Sequence, residues 1–141
     1  MKVTLTMETV LLLDDDSDLL NLFGLVLRRH YNTIKVENAE QALSAFIEHD
    51  RRVDLLVADL SLAAGSGITV ALLLRSVMPD LPIILTSGYP VNSWSEQDSG
   101  DLARLGANSV VILEKPFASQ TLLTTIFALT GGSQSEMART E

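Results

Sequence analysis

The chain has 141 residues, the size of one domain with a single hydrophobic core, and 47% of them are hydrophobic. Its formal net charge of −8 makes direct binding to nucleic acid unexpected, and the absence of cysteine excludes disulfides and thiolate zinc sites. A membrane span requires about 20 consecutive apolar residues, and no apolar stretch of the sequence is nearly that long. We therefore expect a cytoplasmic protein without membrane attachment.

The first predicted elements are a buried strand and an amphipathic helix. The segment TVLLLD, residues 9–14, is too short and too uniformly apolar for a surface helix, which favours a strand covered on both faces. Residues 1–8 before it are interpreted as an N-terminal extension. A helix is predicted over residues 16–31, where Asp16 or Ser17 can cap the first turn. Its apolar stripe consists of Leu19, Leu20, Phe23, Val26 and Leu27.

Two further strands enclose a second helix. The segment TIKVE, residues 33–37, predicts a strand, and residues 38–50 predict a helix because Asn38 and Gln41 have the spacing of a capping box. The segment VDLLVADL predicts a third, strongly apolar strand that ends near Asp59. The residues expected on the inward face of the second helix are Ala42, Phe46 and Ile47.

The second half of the chain continues this alternation. The segment SLAAGSG is a loop by composition, and ITVALLLRSV predicts a helix that ends before Pro79. The segments PIILTS and SVVIL predict two more strands, with a loop and a short helix around residues 98–105 between them. The segment ASQTLLTTIFALT predicts the last helix, with Ser119 as its cap. Residues 131–141 show no periodicity, so we expect a disordered tail there.

The order of these elements predicts the fold class. Strands that alternate with helices form a mostly parallel sheet, because right-handed crossovers place each helix against the sheet. Five strands in one domain favour the flavodoxin-like order 2-1-3-4-5, with helices on both faces. We therefore expect one doubly wound α/β domain over residues 9–130.

Charged residues follow the strands at positions that this fold would bring together. In such a sheet the functional crevice lies beyond the carboxyl ends of the strands. Asp14 and Asp15 end the first strand and Asp59 ends the third, so these carboxylates should face one another across neighbouring strands about 4.8 Å apart. Thr86 ends the fourth strand, and Lys115 follows the fifth within side-chain reach of Asp59.

Such a group of side chains fits a divalent cation and a phosphoryl group. Mg²⁺ prefers oxygen ligands and is usually bound by one or two carboxylates together with phosphate oxygens. Phosphoryl transfer needs positioning and charge neutralisation, which the metal, Lys115 and Thr86 can supply. An aspartate can act as the nucleophile and form an acyl phosphate. Asp59 is the best placed of the three aspartates to be this nucleophile, because it is expected to lie between the acid pair on one side and Thr86 and Lys115 on the other.

These motifs resemble a known family over nearly the whole chain. VLLLDDD resembles the first-strand acid pair of response-regulator receiver domains, which act in two-component phosphorelay signalling. VDLLVADLSLAAGSG resembles their phospho-acceptor strand and loop, PIILTSGY their Thr/Ser strand, and LEKPF their Lys-Pro turn. The chain therefore looks like a receiver that takes a phosphoryl group in a Mg²⁺-dependent reaction and signals by a conformational change.

The resemblance also implies a role for each site residue. Asp59 would be the phosphorylated residue, and the Lys115-Pro116 bond would be cis. The implied metal ligands are Asp14, Asp15, Asp59 and the backbone carbonyl of Ser61, and the implied contacts to the phosphoryl oxygens are Thr86 and Lys115. The donor would be a histidine kinase or a histidine phosphotransfer protein. The chain would be a monomer or a weak homodimer, and no enzyme beyond its own phosphorylation and dephosphorylation.

Three features depart from the family pattern. Ala63 stands where receivers often carry a proline in the loop after the acceptor, and Ile112 stands where a switching aromatic is common. The stretch from Thr86 to Lys115 is also longer than usual, which resembles receivers attached to hybrid histidine kinases. The face around the fifth strand is therefore expected to differ from that of a typical receiver.

Two other functions fit parts of the sequence. A haloacid-dehalogenase-like phosphatase would use Asp14 as the nucleophile, with Asp14 and Asp16 forming an Asp-x-Asp motif, but it leaves Asp59 unexplained. A pseudo-receiver would bind partners without being phosphorylated. The leading hypothesis is a stand-alone receiver, because residues after 130 are too few to form an output domain.

Overall fold

A computed structural model of the chain describes residues 7–131, and these residues form an α/β sandwich around one parallel sheet. The strands are β1 (Thr9–Leu13), β2 (Asn32–Val36), β3 (Leu55–Asp59), β4 (Ser61–Leu62), β5 (Gly65–Ser66), β6 (Ile83–Ser87) and β7 (Val110–Glu114). The helices are α1 (Ser17–Leu27), α2 (Ala39–Glu48), α3 (Gly67–Val77), α4 (Glu96–Leu105) and α5 (Ser119–Leu129), and a short 3-10 turn covers Val91–Ser93. Within this part of the chain, no helix is both long and apolar enough to cross a membrane.

The five long strands lie in the order β2-β1-β3-β6-β7, and every neighbouring pair is parallel. This order confirms the predicted flavodoxin-like topology, since β6 and β7 are the fourth and fifth strands of the sheet. Strands β4 and β5 form a small antiparallel pair within the segment predicted as a loop. The tail predicted over residues 131–141 lies outside the described residues except for Gly131.

The core has two halves, one on each face of the sheet. Alternate strand residues point to opposite faces, so Leu11 and Leu56 belong to one half and Val10 and Val57 to the other. The first half also contains buried residues of α2, α3 and α4, and the second contains those of α1 and α5. Because both faces are covered, β1, β3 and β6 consist mainly of buried apolar residues, as predicted, and the polar residues Asp59, Thr86 and Ser87 stand at the carboxyl ends of β3 and β6.

Local capping signals are confirmed at the first two helices. The Asp16 carboxylate accepts hydrogen bonds from the backbone N–H groups of Asp18 and Leu19. At α2, the Asn38 side chain accepts from the Gln41 N–H, and the Gln41 side chain accepts from the N–H of the residue before Asn38. These contacts satisfy N–H groups that have no partner inside the helix.

Two local predictions are wrong. Ile47 is 61% exposed, because Ala42 and Phe46 occupy the centre of the inward face of α2 and Ile47 lies about 100° further round the helix. Ser119 does not cap α5: it is the first helical residue, and Ala118 is the N-cap without a side-chain hydrogen bond. The short helix predicted around residues 98–105 is present as α4, which begins at Glu96 because the Ser95 hydroxyl caps it.

Gly67 allows α3 to begin directly against the end of β3. A Cβ atom at this position would clash with the backbone carbonyl oxygen of Asp59 and would lie 2.9 Å from Ala58 Cβ. The Gly67 N–H also donates to the Leu60 carbonyl at 3.2 Å. The missing side chain therefore fixes the distance between α3 and the strand that carries Asp59.

We expect Gly67→Ala to lower the free energy of unfolding by about 1–3 kcal/mol, because backbone atoms at the end of β3 must move to accommodate the methyl group. Urea unfolding at equilibrium measures this change. Gly100→Ala is the matched control, since Gly100 lies inside α4 with open space around it and should gain about 0.5–1 kcal/mol of helix stability. Equal stability of the two variants would contradict the role of Gly67.

Candidate functional site

The predicted site residues lie at the carboxyl edge of the sheet because of the strand register. Leu13 pairs with Ala58, so Asp14 lies beside Asp59 just beyond the ends of β1 and β3. On the other side of β3, Asp59 pairs directly with Thr86 of β6. Lys115 follows the last residue of β7, next to the end of β6, where its N–H donates to the Ser87 carbonyl at 2.7 Å. Residues up to 101 positions apart thus share one crevice.

Lys115 joins the two buried carboxylates of the crevice. Its Nζ donates to Asp14 Oδ2 at 3.1 Å and to Asp59 Oδ2 at 3.2 Å. Asp14 and Asp59 are 5% and 6% exposed, so neither charge is compensated mainly by solvent. The sequence prediction that these three side chains converge is confirmed.

The three carboxylates of Asp14, Asp15 and Asp59 form one cluster. One oxygen from each lies within 4.8 Å of the others, and Asp15 is the exposed member. Backbone N–H groups orient each carboxylate, because Asp16 donates to Asp14 Oδ1 at 2.9 Å, Ser61 to Asp59 Oδ1 at 3.2 Å and Ala63 to Asp15 Oδ2 at 2.8 Å. The arrangement is therefore held from both sides of the crevice.

The two hydroxyls at the end of β6 differ in their contacts. Thr86 Oγ1 is buried and, among residues 7–131, has no hydrogen-bond partner. The Ser87 hydroxyl, in contrast, donates to the Tyr89 carbonyl at 2.8 Å and accepts from the Tyr89 N–H at 3.0 Å. An unpaired buried hydroxyl is unfavourable, so Thr86 is the group in this crevice that has bonding capacity left for a ligand.

Burial and charge shift the pKa of two site residues. Burial, together with the negative charge of Asp14, raises the pKa of the Asp59 carboxyl above its ordinary value, although Lys115 acts in the opposite direction. Burial alone would lower the pKa of the Lys115 ammonium, but its hydrogen bonds to Asp14 and Asp59 and their charges raise it. Lys115 is therefore charged at neutral pH, and the Asp59 carboxyl ionises less readily than an exposed aspartate does.

The donor set fits a hard divalent cation. Three carboxylates and one ammonium leave an excess of two negative charges in the crevice. Mg²⁺ takes oxygen ligands in an octahedral arrangement and keeps several waters, which suits a cluster with one exposed carboxylate. Ser61 lies beside this cluster, as its N–H bond to Asp59 shows.

Trp94 lies in the loop after β6, and no sequence pattern indicates whether its side chain is buried. Its side chain is only 9% exposed, and its Nε1 donates to the Tyr89 carbonyl at 3.3 Å. The loop after β6 is therefore packed onto the core half that contains α3 and α4. The sequence predicts a loop here, and no periodicity marks a single buried aromatic within a loop.

The sequence matches the family model of the response regulator receiver domain over residues 10–127. The sensor kinase CckA of Brucella abortus is 30% identical over 120 residues, which cover 84% of this chain and 12% of that kinase. A response regulator receiver protein from Sinorhizobium medicae has a crystal structure that is 27% identical, with a TM-score of 0.74 over 93% of this chain and 99% of that one.

The receiver domain of the hybrid histidine kinase CckA shares the fold, with a TM-score of 0.70 at 22% identity over 86% of this chain and 98% of that one. The chain spans between 12% and 56% of the length of the curated relatives that it matches. The predicted likeness to receivers of hybrid kinases is confirmed by these matches. With its sheet order, its aspartate cluster and the cis Lys115-Pro116 bond, the chain belongs to the response regulator receiver domain family.

Proposed function

We propose that residues 9–130 form a phospho-accepting receiver, in which Asp59 takes a phosphoryl group from a histidine kinase or a histidine phosphotransfer protein in the cytoplasm. One observation carries this proposal: Asp59 shares the Lys115 ammonium with the Asp14 carboxylate and pairs in register with Thr86, whose hydroxyl has no partner among residues 7–131. The likeness to the CckA kinase supports a partner of this class.

In the transfer step, a carboxylate oxygen of Asp59 forms a new bond to phosphorus while the bond from phosphorus to the donor's imidazole nitrogen breaks. The electron pair of the broken bond stays on that nitrogen, and the product is an acyl phosphate. The hydrogen bond from the Ser61 N–H orients the Asp59 carboxylate for this attack. Positioning contributes more than chemical activation in such a reaction.

Lys115 and Thr86 are the residues that would hold the transferred group. The Lys115 ammonium already lies at 3.2 Å from Asp59 and brings a positive charge to the acceptor oxygen. The Thr86 hydroxyl can donate to a phosphoryl oxygen without giving up a bond that it already has. Both contacts strengthen as negative charge accumulates on the phosphoryl oxygens.

Asp14, Asp15, Asp59 and the backbone carbonyl of Ser61 are the groups that would hold Mg²⁺. When bound, Mg²⁺ supplies positive charge that offsets the charge of the acid cluster and of the incoming phosphoryl group. The burial of Asp14 and Asp59 makes this compensation more valuable than it would be in bulk water.

The family match does not favour the phosphatase alternative. Receiver domains are signalling modules, and in this chain a phosphatase with Asp14 as the nucleophile would leave the contacts of Asp59 with Lys115 and Thr86 without a role. We propose that this chain catalyses only its own phosphorylation and dephosphorylation. A pseudo-receiver would share the fold but would not accept phosphate.

Incubation with Mg²⁺ and acetyl phosphate should add one phosphoryl group to the protein, as measured by intact mass. Asp59→Asn should abolish this addition, because the amide cannot form the acyl phosphate. The matched control is Asp80→Asn, which changes an exposed aspartate outside the crevice and should be phosphorylated like the wild type. Retained labelling of Asp59→Asn would contradict the proposal, and an unlabelled wild type would favour the pseudo-receiver.

Mg²⁺ should raise the melting temperature of the wild type, because a ligand that binds only the folded state stabilises it by about 2.7 kcal/mol at a hundredfold excess over its Kd. Asp15→Asn should weaken this effect with little loss of basal stability, since Asp15 is exposed. Asp18→Asn is the control, because Asp18 is a nearby exposed acid outside the cluster. An equal response of both variants to Mg²⁺ would contradict the ligand assignment.

The raised pKa of Asp59 predicts a pH-dependent cost to folding. Because the pKa is higher in the folded than in the unfolded chain, ionised Asp59 destabilises the fold, and this cost appears as pH rises above the ordinary value of 3.8. In EDTA, Asp59→Asn should therefore be more stable than the wild type at neutral pH, with a smaller difference near pH 4. Urea unfolding at both pH values measures this, and a less stable variant at neutral pH would contradict it.

A further inference from the structure

A basic groove lies between α1 and the outer edge of the sheet, away from the aspartate cluster. It has a volume of about 370 Å³ and opens to solvent. Two cationic side chains, Arg28 and Lys35, line it together with an amide and a hydroxyl. The lining residues are Asn21, Gly24, Leu25, Arg28, Thr33 and Lys35. Nothing in the proposed phosphoryl transfer uses this groove.

Gly24 makes room for Lys35 against the helix. A Cβ atom at Gly24 would lie 3.2 Å from Lys35 Cδ and 3.6 Å from its Nζ, so the lysine side chain occupies the space that a larger residue would fill. Lys35 Nζ donates to Asn21 Oδ1 at 3.2 Å, which holds the ammonium beside the residue two helical turns before Arg28. Glycine weakens a helix interior, so Gly24 makes α1 less stable at the position where Lys35 packs against it.

The two cations of the groove have no carboxylate partner. In the described part of the chain, the ion pairs join Arg104 to Asp101 and Lys115 to the aspartate cluster, and none involves Arg28 or Lys35. Two positive charges that share a groove repel each other, and an anionic group between them would relieve this repulsion. The groove is therefore complementary in charge to a carboxylate.

The free edge of β2 borders the same groove. Among residues 7–131, strand β2 is the first in the sheet order, so only one of its edges is paired there. The Asn32 N–H and the Val36 carbonyl bond toward the β1 side. Backbone groups alternate between the two edges of a strand, and so Thr33 and Lys35 direct theirs to the open edge. These are also the two strand residues that line the groove.

We propose that this edge is a docking site for an extended, acidic segment of a partner protein. The segment adds to the sheet beside β2, with backbone hydrogen bonds to Thr33 and Lys35. An acidic side chain enters the groove between Arg28 and Lys35, and an apolar one contacts Leu25, which is 59% exposed. This inference goes beyond the phosphoryl transfer and does not depend on Asp59.

The charge of the groove and of the whole chain favours an acidic peptide segment over a second copy of the chain, a nucleic acid or a membrane. A second copy of β2 would bring two copies of Lys35 close together, which disfavours pairing of the chain with itself. The net charge of −8 repels nucleic acids and anionic membranes, whose charge extends far beyond the groove. A short peptide segment places its carboxylates only where Arg28 and Lys35 are.

The probe is a short synthetic peptide in which glutamate and valine take turns at every second position, with threonine between them, so that both kinds of side chain face the groove. The comparison peptide has lysine in place of glutamate. NMR titration of the full chain should shift the backbone amides of Thr33 and Lys35 with the acidic peptide only. Lys35→Glu should weaken binding about tenfold, because it replaces an attraction with a repulsion. Arg51→Glu is the matched control, since Arg51 is exposed and lies outside this groove, and it should bind like the wild type.

Gly24→Ala gives a second, independent readout. The added methyl group lies 3.2 Å from Lys35 Cδ and forces a small shift of the lysine side chain, so affinity for the acidic peptide should fall. The urea midpoint should stay the same or rise, because alanine favours the helix. The same titration with Asp59→Asn should give wild-type affinity, which separates this site from the proposed phosphorylation. The inference is overturned if the amide shifts lie elsewhere, if Lys35→Glu binds normally, or if an oligonucleotide binds more tightly than the peptide.

Discussion

The charge balance between Lys115 and the buried pair Asp14 and Asp59 is the constraint on which the candidate site depends. Two carboxylates with oxygens within 4.8 Å of each other repel by at least about 3.5 kcal/mol at an effective dielectric constant near 20. The ammonium lies at 3.1 and 3.2 Å from them, where each attraction is about 5 kcal/mol on the same basis. Lys115 therefore makes it possible to keep the two acids close together in a largely dry crevice.

This balance leaves an excess of negative charge that the chain does not neutralise by itself. Asp15 adds a third carboxylate at the exposed side of the crevice, and Thr86 adds a buried hydroxyl without a partner. Both features are unfavourable in a domain selected for stability alone. They become useful if a cation and a phosphoryl group occupy the crevice, which is why the geometry supports a phospho-accepting receiver.

Two glycines allow close contacts in the protein, one beside the aspartate crevice and one in the basic groove. Gly67 lets α3 begin against the carbonyl of Asp59, and Gly24 lets Lys35 lie flat on α1. The first contact supports the strand end that carries the acceptor, whereas the second organises a basic groove beside the edge of β2. An acidic chain thus keeps a positive surface at one sheet edge, distinct from the aspartate crevice.

The sequence by itself determined the element order, the parallel sheet and the meeting of Asp14, Asp59 and Lys115, because short apolar runs and the direction of parallel strands leave few alternatives. It did not determine that Ile47 is exposed, that Trp94 is buried, or that Lys35 lies across Gly24. Those outcomes depend on how helices rotate and which side chains fill the remaining space, and packing between distant segments decides both.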